Sequence, residues 1–305
     1  MGPTGDRRTV VMYKPLIINL APTGMVPTRA QNASLPVTPD QIAEDAARCR
    51  AAGAAIIHLH ARESDESPTY KSEIYREVIA KVRQRAPDLI ICVSTSGRNF
   101  KTFEQRSEVL SLDGDVHPEM ASLTLGSMNF PQQASVNEPA MIKKLADAMN
   151  ERSIVPELEV FDIGMIDYAK YLIEKKVLRE PFYFNILLGS LGTLGATAFN
   201  LATAVLSLPA DATWAGAGIG RFQFFVNSMA ITMGGNVRVG LEDNLLWDQE
   251  TKEPATNHAV VERISKLGIA AGRQVATPDE ARGIIGLEPR AVTAGAHANR
   301  SYVQA

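Results

Sequence analysis

Eight short apolar runs, each followed by a helical or helix-like pattern, recur between Pro15 and Leu287, and this cycle constrains the fold more than any single motif. The runs are PLIINLA (15–21), AAIIHLH (54–60), DLIICVSTSG (88–97), MASLTLGSMNF (120–130), VPELEVFDIG (155–164), FYFNILLG (182–189), ATWAGAGIG (212–220) and GNVRVGLEDN (235–244). Strands that are apolar throughout rather than alternating are buried on both faces, which is the mark of a parallel sheet covered by helices. Helix starts are written into the gaps. Thr38 is an N-cap with Pro39 at the first helical position and Gln41 completing a capping box, and Gly53 is the stop. Thr277 and Glu280 repeat the same signal late in the chain. No Gly/Ser/Pro-rich linker divides the sequence. The expectation is a single α/β domain over residues 1–305, a (β/α)8 TIM barrel with short extensions at about 1–14 and about 289–305. A doubly wound sheet is the alternative.

Composition narrows the partners. The net charge is −3 and no long Lys/Arg cluster occurs, which disfavours nucleic acid and anionic membranes. Cys49 and Cys92 have no metal-type spacing and form no disulfide framework, in keeping with a reducing, cytoplasmic setting. The opening MGPTGDRRTVVMYKP has no apolar signal core, and Asp6 breaks the myristoylation pattern. The charge-free stretch 181–210 raises the question of a membrane span. Its Asn185, Asn200, glycines and β-like opening read better as strand, loop and packed helix.

In a barrel of this type the active site forms at the C-terminal ends of the strands. His58 and His60 lie at one such end, and alternate strand residues share a face, so the two imidazoles project together. They suit a metal clamp, and equally two ordinary packed histidines. Other strand ends carry Arg62; Ser94 and Thr95; Ser122 and Thr124; Glu157 and Glu159; and Arg238, Glu242 and Asp243. A catalytic zinc takes three protein ligands and keeps one position open. Glu242 is the best-placed third ligand, whereas His117, His258 and His297 fall in loops or helices. Arg238 and Asp243 also read as a buried ion pair, and Ser94 and Ser122 as barrel packing. One of Glu157 and Glu159 reads as no more than a solvated strand-end carboxylate. GAGIGR (216–221) lacks the last glycine of a dinucleotide fingerprint and is a tight turn or a phosphate site, with Arg221 as its cation.

Taken in order and spacing, TGMVPTR…LPVTP, HLHARE, STSG, VPELEVFDIGM, AGIGR and GGNVRVGLEDN resemble the β-keto acid cleavage enzymes, whose best-known type is 3-keto-5-aminohexanoate cleavage enzyme. The resemblance runs from about Leu16 to Leu287. It implies a zinc-bearing, homo-oligomeric barrel, a tetramer, that condenses a β-keto acid with acetyl-CoA to give acetoacetate and a new acyl-CoA. It implies His58, His60 and Glu242 as zinc ligands and Asp243 and Arg238 as the catalytic pair. Glu159 matches a further acidic residue of the site. Ser94 and Ser122 match substrate-holding hydroxyls, Ser122 standing where the type enzyme has Thr, with Thr95 and Arg221 as neighbouring substrate contacts. Asp243, oriented and held ionised by Arg238, is the expected base; deprotonated acetyl-CoA would add to the zinc-polarised ketone, and a retro-Claisen break would follow. Val26 stands where the type enzyme has a glutamate suited to a substrate ammonium group, so the expected substrate is neutral or apolar. Two rival readings are a metal-dependent hydrolase, which normally needs further histidines on later strands, and a non-catalytic metal- or ligand-binding barrel.

Overall fold

A computed structural model describes residues 13–130 and 133–290. The eight apolar runs form eight parallel strands: β1 (Ile18–Leu20), β2 (Ile56–Leu59), β3 (Ile90–Val93), β4 (Met120–Thr124), β5 (Val155–Val160), β6 (Tyr183–Leu188), β7 (Thr213–Gly218) and β8 (Asn236–Val239). Each pairs with the next, and β8 returns to β1 through Ile18–Val237, Asn19–Arg238 and Leu20–Val239, so the sheet closes into a barrel. Closure excludes the doubly wound alternative. Of the expected extensions, residues 1–12 and 291–305, with His297, lie outside the described residues.

The helices begin where local chemistry starts them. α1 (Pro39–Ala51) has the full Thr38–Gln41 capping box, and Gly53, at φ 118°, follows its end. α2 (Ser72–Arg85), the short α3 (Phe103–Ser107), α4 (Pro139–Glu151) and α5 (Ile163–Glu174) follow. The charge-free stretch resolves into β6, a Gly-rich loop and α6 (Ala198–Ser207), capped by Thr197. Among the described residues no helix is long and apolar enough to cross a membrane. α7 (Gln223–Thr232), α8 (Asn257–Ala270) and α9 (Pro278–Ile285) complete the set, α9 starting at the Thr277–Glu280 box and ending at Gly286 in the left-handed conformation.

Two apolar layers result. The larger lies between strands and helices, with Ile57, Leu59, Val93 and Leu158 against Ile42, Ile79 and Leu145. The smaller fills the barrel itself: Ile17, Ile56, Ile90, Met120 and Tyr183 pack with Ala281 and Ile285 of α9. Helix α9 thus closes the N-terminal end of the barrel and leaves the C-terminal end open for chemistry.

Candidate active site

At the open end, β2 delivers His58 and the residue after its end delivers His60, with ring centroids 5.2 Å apart. Their Nε2 atoms are 3.3 Å apart, and His60 Nε2 is 3.3 Å from Glu242 Oε1. Two nitrogens bound tetrahedrally at about 2.05 Å to one zinc stand about 3.3 Å apart, so the spacing suits a shared ion. The remaining oxygen of Glu242, Oε2, is buried with no hydrogen-bond partner among the described residues, which a cation would satisfy. The three side chains fit a metal.

His58 is prepared for that task from behind. Its Nδ1 donates to Glu157 Oε2 at 2.6 Å, which leaves the Nε2 lone pair facing His60 and Glu242. The other Glu157 oxygen accepts from Asn19 Nδ2 at 2.6 Å. Glu157 is 0% exposed, and Glu159 is bonded by Thr124 and Arg238, so neither is merely a solvated strand-end carboxylate. Burial alone would raise its pKa, but His58, Arg238 and Asn19 together bring it down to about 2. Burial likewise works against the charged form of His58, yet Glu157 and Glu242 outweigh it and lift its pKa; for His60 burial prevails and the pKa falls. A second donor cluster, His58, Cys92 and Glu157, is also compact. Its atoms are already engaged, and burial pushes the Cys92 thiol well above its ordinary pKa, so it offers a thiol rather than a thiolate.

Arg238, 2% exposed, organises the acids of β5 and β8. Its Nε donates to Asp243 Oδ2 at 2.9 Å, its Nη2 to Glu242 Oε1 at 2.6 Å, and its Nη1 to Glu159 Oε1 at 3.4 Å. Thr124 Oγ1 donates to the other Glu159 oxygen at 2.7 Å. Arg238 pulls Asp243 toward the ionised form, as expected, but burial is stronger and leaves its pKa raised; Glu159 is raised for the same first cause. Burial disfavours the Glu242 charge too, but Arg238 and both histidines hold its pKa well below the ordinary range.

Glycine makes the turn that places these acids. Gly240 has φ 153°, and a Cβ there would lie 2.1 Å from the carbonyl oxygen of Ala21, so only glycine lets the chain pass β1. Beyond it the Glu242 amide donates to that same oxygen at 3.1 Å, and the Asp243 carbonyl accepts from Gly220 N at 2.6 Å. The GAGIGR segment is the end of β7 followed by a tight turn against the site: Gly218 has no room for a Cβ beside Phe222.

One cavity of about 850 Å³ gathers His58, His60, Glu242, Arg238, Asp243 and Glu159 together with Ser94, Val26 and Arg221. Small-molecule sites are commonly of this size. Ser122 and Thr95 do not line it. Thr95 Oγ1 donates to the Ser122 carbonyl at 2.6 Å and Thr95 N to Ser122 Oγ at 3.2 Å, so these residues tie β4 to the end of β3 beside Ser94. Arg62 is likewise turned away from the chemistry, its guanidinium donating to the Gly24 and Pro27 carbonyls and holding the loop that carries Val26. Two site residues escaped the sequence reading, and the role of a third did. Asn19 was visible only as a polar break in an apolar run, and Arg98, on the loop after β3, gave no signal, since loop residues have no period to betray their direction; Glu157 stood among the strand-end candidates, but its bond to His58 was not foreseen.

A family model described as beta-keto acid cleavage enzyme matches residues 15–287. A 3-keto-5-aminohexanoate cleavage enzyme of Fusobacterium nucleatum is 41% identical over 278 residues, covering 91% of this chain and all of that protein. A 3-oxoadipate:acetyl-CoA acetyltransferase of Cupriavidus necator is 36% identical over 279 residues, covering 90% of this chain and 96% of the relative. Among solved structures, a complex of ObcA with oxaloacetate shares the fold, with a TM-score of 0.75 at 23% identity over 83% of this chain and 67% of that one.

Proposed function

Since this chain belongs to the beta-keto acid cleavage enzyme family, we propose that it joins a β-keto acid to acetyl-CoA, releasing acetoacetate and a new acyl-CoA, with zinc held by His58, His60 and Glu242. The carrying observation is the triangle of those three side chains beside the Arg238–Asp243 pair in one cavity. Relatives are named for acetyl-CoA-dependent transfer on 3-oxoadipate and on 3,5-dioxohexanoate, which supports the same reaction class here.

Atom balance sets the order of events. Acetoacetate takes its acetyl group from acetyl-CoA and its CH2–COO⁻ from the keto acid. The bond that forms therefore joins C2 of the keto acid to the thioester carbonyl carbon, and the bonds that break are C–S and C2–C3. The freed thiolate and the acyl fragment unite as the new acyl-CoA. Acetyl-CoA adding through its own methyl carbon, as first expected, would instead release acetate and a 3-oxoacyl-CoA. The carbon acid is thus the keto acid. Asp243 is the base for its C2 proton, a task suited by a carboxylate whose pKa burial has raised. Arg238 orients Asp243 and stays charged beside it. Bound zinc would supply Lewis-acid polarisation of the ketone and carboxylate oxygens. Ser94 offers a hydroxyl to the substrate from the cavity wall, and Glu159, with its raised pKa, is a second proton-holding site. Arg221, exposed near the cavity and stacked 4.8 Å from the Phe222 ring, suits the phosphates of the CoA.

The expected preference for a neutral or apolar tail over an amino-bearing one has support on its negative side: Val26, 46% exposed, lines the cavity with no charge to meet an ammonium group. Phe199 and Leu206 on α6 and Phe225 on α7 are exposed, and neither helix carries a charge, which supports association of copies through this face. Cys49 and Cys92 are buried free thiols, as a cytoplasmic setting would keep them.

The test is to incubate zinc-loaded protein with acetyl-CoA and a panel of β-keto acids, reading acetoacetate and new acyl-CoA by mass spectrometry, with His58→Ala alongside. Acetoacetate that requires both acetyl-CoA and His58 is the expected result. Metal-dependent hydrolysis without acetyl-CoA would replace this reading with the hydrolase, and zinc binding with no turnover across the panel would favour a binding protein.

A further inference from the structure

We infer that Arg98 reads the end of the substrate remote from the reacting carbons, and that this end carries a carboxylate; the inference rests on the β-keto acid reading above, keeps its exclusion of an amino-bearing tail and replaces the neutral or apolar tail with an anionic one. Three arginines line the cavity. Arg238 is spent on Glu242, Asp243 and Glu159. Arg221 is exposed. Arg98 is half-buried, and the central carbon of its guanidinium lies over Phe130, 3.6 Å from the ring centroid. Phe130 in turn meets Phe161 in an edge-to-face pair at 6.0 Å, so the ring beneath the cation is itself packed.

Stacking occupies the face of a guanidinium and leaves the rim of N–H donors available for a planar, bidentate acceptor. Among the described residues, none of those donors is used: the hydrogen bond Arg98 gives is from its backbone amide to Ser96 Oγ at 3.3 Å, and no carboxylate lies within 4.0 Å of its side chain. A partly desolvated cation without an ion-pair partner is costly. Burial accordingly lowers its pKa, only partly opposed by Glu242, Glu159 and Asp243. Among the described residues those three are also the only acids lining the cavity, and all are held by Arg238. An anion brought in by the ligand is the missing complement, whereas an ammonium tail would face Arg98 with no counter-charge at Val26. The acyl-CoA released from such a substrate would itself end in a carboxylate.

Two substrates of equal backbone separate the alternatives: 3-oxohexanedioate, with a carboxylate at its far end, and 3-oxohexanoate, with a methyl group there. Binding to the zinc-loaded protein is measured by calorimetry without acetyl-CoA, then kcat/KM with it. The expected preference for the diacid is about tenfold to a hundredfold, the range of a charge-assisted bidentate pair. In Arg98→Gln that ratio falls toward one, chiefly through KM, and Arg98→Lys keeps part of it. A wild-type ratio at or below one, or an Arg98→Gln variant that weakens both acids equally, as it would if Arg98 held the carboxylate next to the ketone, overturns the inference. Binding that keeps the Arg98-dependent preference without turnover would uphold it and refute the proposed reaction instead.

Discussion

A glutamate as deeply buried as Glu157 costs several kcal/mol unless both oxygens find partners, and Asn19 and His58 are those partners. Its role is to fix the His58 tautomer, so Glu157→Gln is expected to weaken zinc binding about tenfold to a hundredfold while the fold persists; competition with a chelator measures it, and an unchanged affinity would reduce Glu157 to packing. Gly240→Ala tests the turn that aims Glu242 and Asp243. With no room for a methyl against Ala21, the variant should lose metal affinity and activity together, and full zinc occupancy would show that the turn has another solution. At this scale legibility follows periodicity. His58 and His60 could be placed because alternation along a strand fixes their common face, and Glu242 and Asp243 because they follow a strand end. Arg98 could not, and the hydrogen bonds that withdraw Ser122 and Thr95 from the cavity depend on a strand register that spacing alone does not supply.

Helix α9 is fastened to the barrel floor by charge as well as by apolar contact. Glu119, just ahead of β4, accepts from Arg282 Nε at 2.7 Å and from Arg83 Nη2 at 2.8 Å. Burial opposes its charge, yet the two guanidinium groups more than offset this and hold its pKa below the ordinary value. A depressed carboxylate stabilises the fold fully above the unfolded pKa and loses that contribution as pH falls through the folded one. Glu119→Gln leaves two buried cations short of a counter-charge, and about 3 kcal/mol should be lost at neutral pH. The gap between variant and wild type should narrow on acidification below about pH 4.3, the ordinary glutamate value; a gap independent of pH in chemical denaturation would show that charge is not what fastens α9. The element itself was plain in the sequence, because Thr277 and Glu280 cap it by local chemistry. Its docking site was not, since the Arg282–Glu119 contact spans 163 positions and leaves no local pattern.

The whole barrel was legible because eight buried strands and their helices repeat one local rule, and closure is the arrangement that leaves no strand edge unpaired. The second apolar layer, inside the barrel, depends on α9, and Ile285, 3% exposed, is its test. Ile285→Asp places an unpaired charge in the layer that holds Ile17 and Tyr183 and should make the protein largely insoluble or lower its unfolding midpoint by about 5 °C or more, roughly the effect of 3 kcal/mol or more in a chain of this size; a soluble variant of unchanged midpoint would mean that the floor is not closed by this helix. The joining of the two ends of the fold has one more consequence. Leu16, ahead of β1, exchanges backbone hydrogen bonds with Gln274 and Ala276. Strand β1 is therefore not fully paired until Gln274–Ala276 have been synthesised, and a nascent chain paused before Pro278 lacks the helix that covers the apolar interior of its barrel.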